Sequence, residues 1–246
     1  AALEEFAIEA SILKVAGSEM IDFVLDENVQ VHGGNGFVRD YPAERHYRDA
    51  RVNRIFEGTN EINRMLIPGM LARRAVKGTL PIISAARALQ DELLSPALAA
   101  AEDDGALAAE RRVVEAMKKA SLMVLGTAMQ TYGTQLADQQ EVLLLSADIL
   151  CDTFAAESAV LRAAAAQSGD ARRAAHEAAA RTFVHDAAGR VEIAARGALE
   201  AMSEGDTLRT LLAALRRIMK VAPANAVALR RIVADAVVER QGYPFA

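Results

Sequence analysis

The chain is expected to be all-α, and three observations predict it. More than half of the 246 residues are apolar, yet glycine and proline together number only 21, being 15 and 6, and abundant alanine, leucine, arginine and glutamate favour helix. Apolar residues recur every three or four positions, the period of a helix with one buried face. No run of useful length alternates apolar and polar residues as a half-buried strand does.

Each element follows from that period. Leu3, Phe6, Ala10, Leu13, Gly17, Met20 and Val24 predict a buried stripe on a helix reaching about Asn28. The glycines from Gly33 to Gly36 end it. Pro42 suits a first helical turn, and Ala43 to Arg51 reads as a short, charge-dense helix. After the loop Ile55 to Thr59, either Thr59 or Asn60 can cap the next helix, with Glu61 in its first turn favourable to the dipole. Ile62, Leu66, Met70 and Ala75 mark that helix, with Pro68 as a kink.

Gly78-Thr79-Leu80-Pro81 reads as a boundary, dividing the chain into residues 1–77 and 78–246. Ile82 to Leu94 is a helix stopped near Ser95-Pro96, and Asp103-Asp104-Gly105 punctuates. Val113, Met117, Ala120, Val124 and Ala128 mark a long helix. Val142, Leu145, Ile149, Ala156 and Val160 mark another, ending near Gly169. Val184, Ala188, Val191, Ala195, Ala198 and Met202 mark a third. Leu208, Leu211, Leu215 and Ile218 begin a segment that breaks at Pro223 and resumes through Val227, Ile232 and Val237. Short polar connections between long helices make neighbours antiparallel, so residues 78–246 read as an alanine-rich bundle.

Composition narrows the function. A net charge of −5 offers no basic footprint for nucleic acid. The single cysteine, Cys151, cannot form an intrachain disulfide and reads as core packing. His46, His176 and His185 lack ligand spacing, so no metal site is expected. The most apolar stretch, Val142 to Val160, is broken by Asp148, Asp152 and Glu157, too charged to cross a bilayer. With no signal peptide, the default location is the cytoplasm.

Two stretches carry chemistry. In Phe56-Glu57-Gly58-Thr59-Asn60-Glu61-Ile62 a glutamate precedes a glycine and a capping pair, which holds one carboxylate on a short loop against a helix start. Such a carboxylate can act as a base on a substrate that reaches the loop backbone. Upstream, Gln30-Val31-His32-Gly33-Gly34-Asn35-Gly36-Phe37 is a glycine-rich turn between helical patterns. Arg45, Arg48, Asp49 and Arg51 read as a structural ion-pair cluster, and Arg209, Arg216, Arg217, Lys220, Arg230 and Arg231 as a solvated face, with a membrane-surface role as the alternative.

As a set, Gln30-x-x-Gly33-Gly34-x-Gly36-Phe37, Tyr41-Pro42-x-Glu44-Arg45, Arg48-Asp49-Ala50-Arg51 and Ile55-Phe56-Glu57-Gly58-Thr59-Asn60-Glu61-Ile62-x-Arg64 resemble the C-terminal part of the acyl-CoA dehydrogenase family. The helical tail resembles the additional C-terminal domain of the family's very-long-chain branch. The resemblance implies α,β-dehydrogenation of an acyl-CoA thioester with FAD as hydride acceptor. Glu57 matches the base that removes the α-proton, with its backbone N–H a donor to the thioester oxygen. Phe56, which stands where a tyrosine is common, and Gly58 border the substrate. Gln30, Gly33 and Gly34 correspond to contacts with FAD, usually that of the neighbouring subunit, and Thr59 and Glu61 to further cofactor contacts. Electron-transfer flavoprotein as electron acceptor, a homodimeric parent and peripheral membrane contact are implied in the same way. The family carries an N-terminal helical domain and a middle β-domain that these residues do not include. The chain, which opens in helical rhythm without a methionine, is therefore expected to be a C-terminal fragment, inactive alone and weak in FAD binding. Two other readings stand beside this one: an acyl-CoA oxidase, and a non-catalytic helical interaction module in which Glu57 is vestigial.

Overall fold

The computed structural model describes residues 2–94, 105–166 and 172–245. These residues are helices joined by turns, with no strand among them. The fold is all-α, as expected, a helical unit continued by a helical bundle. It divides into two compact units, Ala1–Arg73 and Arg74–Ala246.

In the first unit a single turn, α1 (Ala2–Glu5), leads into the 26-residue α2 (Ala7–His32). The one-turn α3 (Gly34–Phe37) follows, then α4 (Pro42–Arg51), then a 3-10 turn over Val52–Arg54. Pro42 occupies the first turn of α4, where its missing N–H costs nothing. Helix α5 (Asn60–Val76) runs unbroken past Pro68, and the expected kink does not interrupt it. Thr59 caps it, its Oγ1 accepting from the Ile62 N–H at 3.3 Å. Asn60, the other capping candidate, is fully buried.

In the second unit α6 (Ile82–Leu94) packs on α7 (Ala108–Tyr132), and α7, α8 (Gln140–Ala165) and α9 (Arg173–Met202) pack on one another. Connections of seven residues between helices of 25 to 30 residues make these three antiparallel. Helices α10 (Gly205–Ile218) and α11 (Ala226–Arg240) lie against α9, and the Asn225 side chain caps α11 by accepting from the Ala228 N–H at 3.0 Å. The core is built from small residues: Ala187, Ala188, Val191, Ala195 and Ala198 on α9 and Val142, Ala147, Ile149 and Ala156 on α8 are all buried, and the two helices pack on each other. The stops expected at Ser95-Pro96, Asp103-Asp104 and Gly169 lie outside the described residues.

The expected stripes of α7 and α9 are buried throughout, and that of α8 except at half-buried Leu145. Two other stripes are corrected. On α2 the side expected inside is the side turned out: Phe6, Leu13, Met20 and Val24 are 54–65% exposed, while Ile8, Ser11, Ile12, Val15 and Ser18 are buried. Both sides of α2 are apolar, so period alone cannot choose between them. On α11, Val227, Ile232 and Val237 are exposed, and Ala226, Leu229, Val233 and Ala236 form the half-buried side instead. The ion-pair cluster on α4 reduces to Arg48–Glu44 at 2.8 Å; Arg45, Asp49 and Arg51 make no ion pair with a described residue. Cys151 is half-buried on α8, and the terminal cations are exposed.

Candidate active site

The loop Ile55 to Thr59 leaves the 3-10 turn and enters α5 through two consecutive left-handed residues, Glu57 at φ 56° and Gly58 at φ 81°. Glycine adopts that region freely. For glutamate it costs about 1–2 kcal/mol, because Cβ crowds the following carbonyl. Such strain persists only where the surroundings hold it, and it gathers at functional sites. A side chain at position 58 is further opposed by the Asn63 Nδ2, 3.1 Å from where a Cβ would sit.

The surroundings that hold this loop are polar and half-buried, centred on the buried Ser18 and Asn60. Lys14 on α2 donates from Nζ to the Gly58 carbonyl at 2.7 Å and to the Asn60 Oδ1 at 2.6 Å. Asn63 donates from Nδ2 to the same Gly58 carbonyl at 2.9 Å and to the Thr59 carbonyl at 3.1 Å. The Asn60 Nδ2 donates to the Ser18 Oγ at 2.9 Å and the Glu19 Oε1 at 3.1 Å. Every polar atom of the buried carboxamide is thereby engaged, as burial requires. Arg64 then closes on Glu19 with both arms, and Arg54 pairs with Asp22 at 2.8 Å. Burial pushes the Glu19 carboxyl up, but hydrogen bonds from Arg64 and Asn60 and the charges of Arg64 and Arg54 outweigh it, leaving it below the ordinary carboxylate range.

Against this braced background Glu57 is exposed and makes no hydrogen bond or ion pair with any described residue. Phe56 is 46% exposed beside it, and Gly58 is exposed. Thr59 spends its hydroxyl on the cap. Glu61 is exposed, its carboxyl held below the ordinary range first by its own backbone N–H and then by the Thr59 hydroxyl. Phe56, Glu57, Gly58, Thr59 and Glu61 thus share one loop and helix start.

Gln30, Gly33 and Gly34 lie elsewhere on the same unit. From Glu19 to Gln30 is about 16 Å along α2 at 1.5 Å per residue, so the two sets do not converge on one point. Gln30 is exposed and its carboxamide has no partner among the described residues. Gly33 has φ 58° and ψ −139°, a backbone shape open essentially to glycine. Open space surrounds the position a Gly34 side chain would take, whereas a Cβ on Gly36 would lie 2.4 Å from the Val29 carbonyl oxygen. Two exposed glycines, Gly33 and Gly34, next to a free carboxamide fit the pyrophosphate or adenosine of FAD, which neutral donors and close backbone approach suit. The anionic Glu61 fits a ribose hydroxyl or an adenine amine, not a phosphate.

Sequence reasoning missed Lys14, Ser18, Glu19, Asn60 and Arg64. Its signal was present: Lys14, Ser18 and Asp22 recur every fourth position, a polar row on a helix otherwise rich in apolar residues.

Comparison with known proteins agrees with this architecture. Residues 2–72 and, separately, residues 116–217 match family profiles that are each described as Acyl-CoA dehydrogenase, C-terminal domain. A probable acyl-CoA dehydrogenase of Bacillus subtilis (strain 168) is 42% identical over 243 residues, covering 98% of this chain and 41% of the relative. The human mitochondrial short-chain specific acyl-CoA dehydrogenase is 48% identical over 68 residues, covering 28% of this chain and 16% of that protein. A crystal structure of acyl-CoA dehydrogenase complexed with FAD, from Bacillus anthracis, superposes with a TM-score of 0.91 at 41% identity, covering 97% of this chain and 40% of that one. The chain therefore spans about two-fifths of the length of the Bacillus proteins that it matches almost throughout. By sequence and by fold, it belongs to the acyl-CoA dehydrogenase family, as a C-terminal domain region.

Proposed function

We propose that this region supplies the catalytic base and part of the cofactor surface of an FAD-dependent dehydrogenase that desaturates fatty acyl-CoA thioesters between the α and β carbons. One observation carries the reading: Glu57, an exposed and unpartnered carboxylate, is held in a strained left-handed conformation by a polar network anchored on the buried Asn60. A structural glutamate at a helix start gains nothing from that strain, whereas a base gains a fixed position.

The α-proton of a thioester is weakly acidic, so the site must do two things at once. The Glu57 carboxylate takes the proton from the α-carbon, while a donor stabilises the charge that gathers on the thioester oxygen. The Glu57 backbone N–H is the donor assigned to that oxygen. Gly58 leaves the loop backbone open to the substrate, and Phe56 adds an apolar surface beside it. Water excluded by the bound acyl chain raises the basicity of the carboxylate. FAD, when bound, supplies the acceptor for the β-hydrogen, which leaves as hydride. Thr59 and Glu61 contact that cofactor beside the loop, Glu61 through a hydroxyl or amine of it, while Gln30, Gly33 and Gly34 hold the adenosine and pyrophosphate portion of the neighbouring subunit's FAD.

The match to the Bacillus subtilis relative runs through both units, which supports the branch with an additional C-terminal helical domain and, with it, long acyl chains and a homodimer. Electron-transfer flavoprotein as acceptor, a cytoplasmic location and peripheral membrane contact through the exposed terminal cations belong to the same reading. The 246-residue chain by itself is expected not to oxidise acyl-CoA, since the reading assigns it the base and not the whole site.

The reading is tested by adding a long-chain acyl-CoA, without oxygen, to the FAD-loaded enzyme that carries this region. Bleaching of the flavin with formation of the 2-enoyl thioester is expected, with reoxidation fast by electron-transfer flavoprotein and slow by oxygen. Rapid reoxidation by oxygen would favour the oxidase, and no bleaching would favour the non-catalytic module.

A further inference from the structure

We propose that Lys14 is a positioning residue for the Glu57 loop: its ammonium fixes the peptide after Gly58 and so sets where the carboxylate and backbone N–H of Glu57 point. The inference rests on the reading of Glu57 as the base.

Lys14 lies 44 positions from Gly58 in sequence, yet its Nζ stands 2.7 Å from the Gly58 carbonyl oxygen. The Asn63 Nδ2 approaches that same oxygen at 2.9 Å. Two donors thus occupy both lone pairs of one carbonyl, immediately after the two left-handed residues. The Gly58–Thr59 peptide cannot tilt without losing both bonds, one of them charge-assisted.

Lys14 is itself fixed. Its second acceptor is the Asn60 Oδ1 at 2.6 Å, on a carboxamide with no exposed surface. That carboxamide is anchored to Ser18 and Glu19, and Glu19 is clamped by Arg64. The ammonium therefore joins a half-buried network, anchored on the buried Asn60, to an exposed loop. Its bond to Asn60 serves folding. Its bond to Gly58 holds the strained conformation before any substrate arrives, which spares the reaction that reorganisation. A lysine is suited to this, with several donors at the end of a long stem.

The experiment uses the FAD-loaded acyl-CoA dehydrogenase that carries this region, with Lys14→Met, Lys14→Gln and Lys14→Arg beside Glu57→Gln. Lys14→Gln keeps a neutral donor beside the two acceptors but ends one bond short of the ammonium and carries no charge, so together with the melting temperature it separates folding from positioning. In Lys14→Met and Lys14→Gln the rate of flavin reduction at saturating acyl-CoA is expected to fall about ten- to a hundredfold, the scale of a ~1 Å misplacement. KM should change little, and amide hydrogen exchange at residues 57–59 should quicken. Lys14→Arg, which also donates to two acceptors, should recover part of the rate. A folded Lys14→Gln enzyme with unchanged flavin reduction and loop exchange, beside an inactive Glu57→Gln, overturns the role of Lys14 and leaves the base in place. A lower melting temperature at unchanged turnover overturns it too, since that is a purely structural effect. Persisting turnover in Glu57→Gln overturns the base itself, and the inference with it.

Discussion

The guanidinium of Arg64 closes on both carboxylate oxygens of Glu19, with Nη1 2.6 Å from Oε1 and Nη2 2.8 Å from Oε2. This fork joins α5 to α2, and the Glu19 Oε1 also accepts from the buried Asn60, whose Oδ1 accepts from Lys14. A bidentate pair of this kind fixes orientation as well as distance.

Acid sensitivity follows from that pair. The Glu19 carboxyl sits below its ordinary value because Arg64, Asn60 and Arg54 together outweigh burial. A carboxyl whose pKa is lower folded than unfolded adds stability above the unfolded value, about 4.3 for glutamate, and loses that contribution as pH falls through the folded value. Urea unfolding of wild type and Glu19→Gln should therefore differ most above about pH 5, with the gap narrowing as pH falls below the unfolded value of about 4.3. A gap that stays constant across that range would mean that the pair does not link stability to protonation.

The two glycines at positions 34 and 36 should behave oppositely. A methyl on Gly36 meets the Val29 carbonyl oxygen at 2.4 Å and the His32 Cβ at 3.0 Å, while one on Gly34 meets nothing within 4 Å. Gly36→Ala is expected to destabilise the chain by about 1–3 kcal/mol, the usual cost of forcing a group into filled space. Gly34→Ala should leave stability within about 0.5 kcal/mol, yet weaken FAD retention if the turn approaches the cofactor backbone to backbone. Chemical denaturation and flavin content, measured on both variants, check the pair. Full flavin retention in Gly34→Ala would remove that turn from the cofactor surface.

The fold class was legible because a helix writes its period into the chain, and every residue named for the cores of α7 and α9 is buried, although flanking members such as Val114, Met123, Ala187 and Leu199 were not named. Which side of α2 faces its neighbours was not legible. Leu13, Met20 and Val24 are as apolar as Ile8, Ile12 and Val15, and the choice between the two sides is made by packing with distant segments. The same holds for Val227, Ile232 and Val237 on α11. The bend at Glu57 was legible as a carboxylate followed by a glycine before a cap, whereas its brace left only a polar row on α2, with nothing to say which loop that row meets. Lys14 and Asn60 are ordinary polar residues until folding brings them to 2.6 Å.

The isosteric change Glu57→Gln in the FAD-loaded enzyme tests the central claim most directly. It keeps the shape of the side chain and the conformation of the loop, and removes only the proton acceptor. Flavin reduction by saturating acyl-CoA is expected to fall by about a thousandfold, within the usual contribution of a positioned base, with FAD content and acyl-CoA affinity retained. Flavin reduction at the wild-type rate in that variant would contradict the assignment of Glu57.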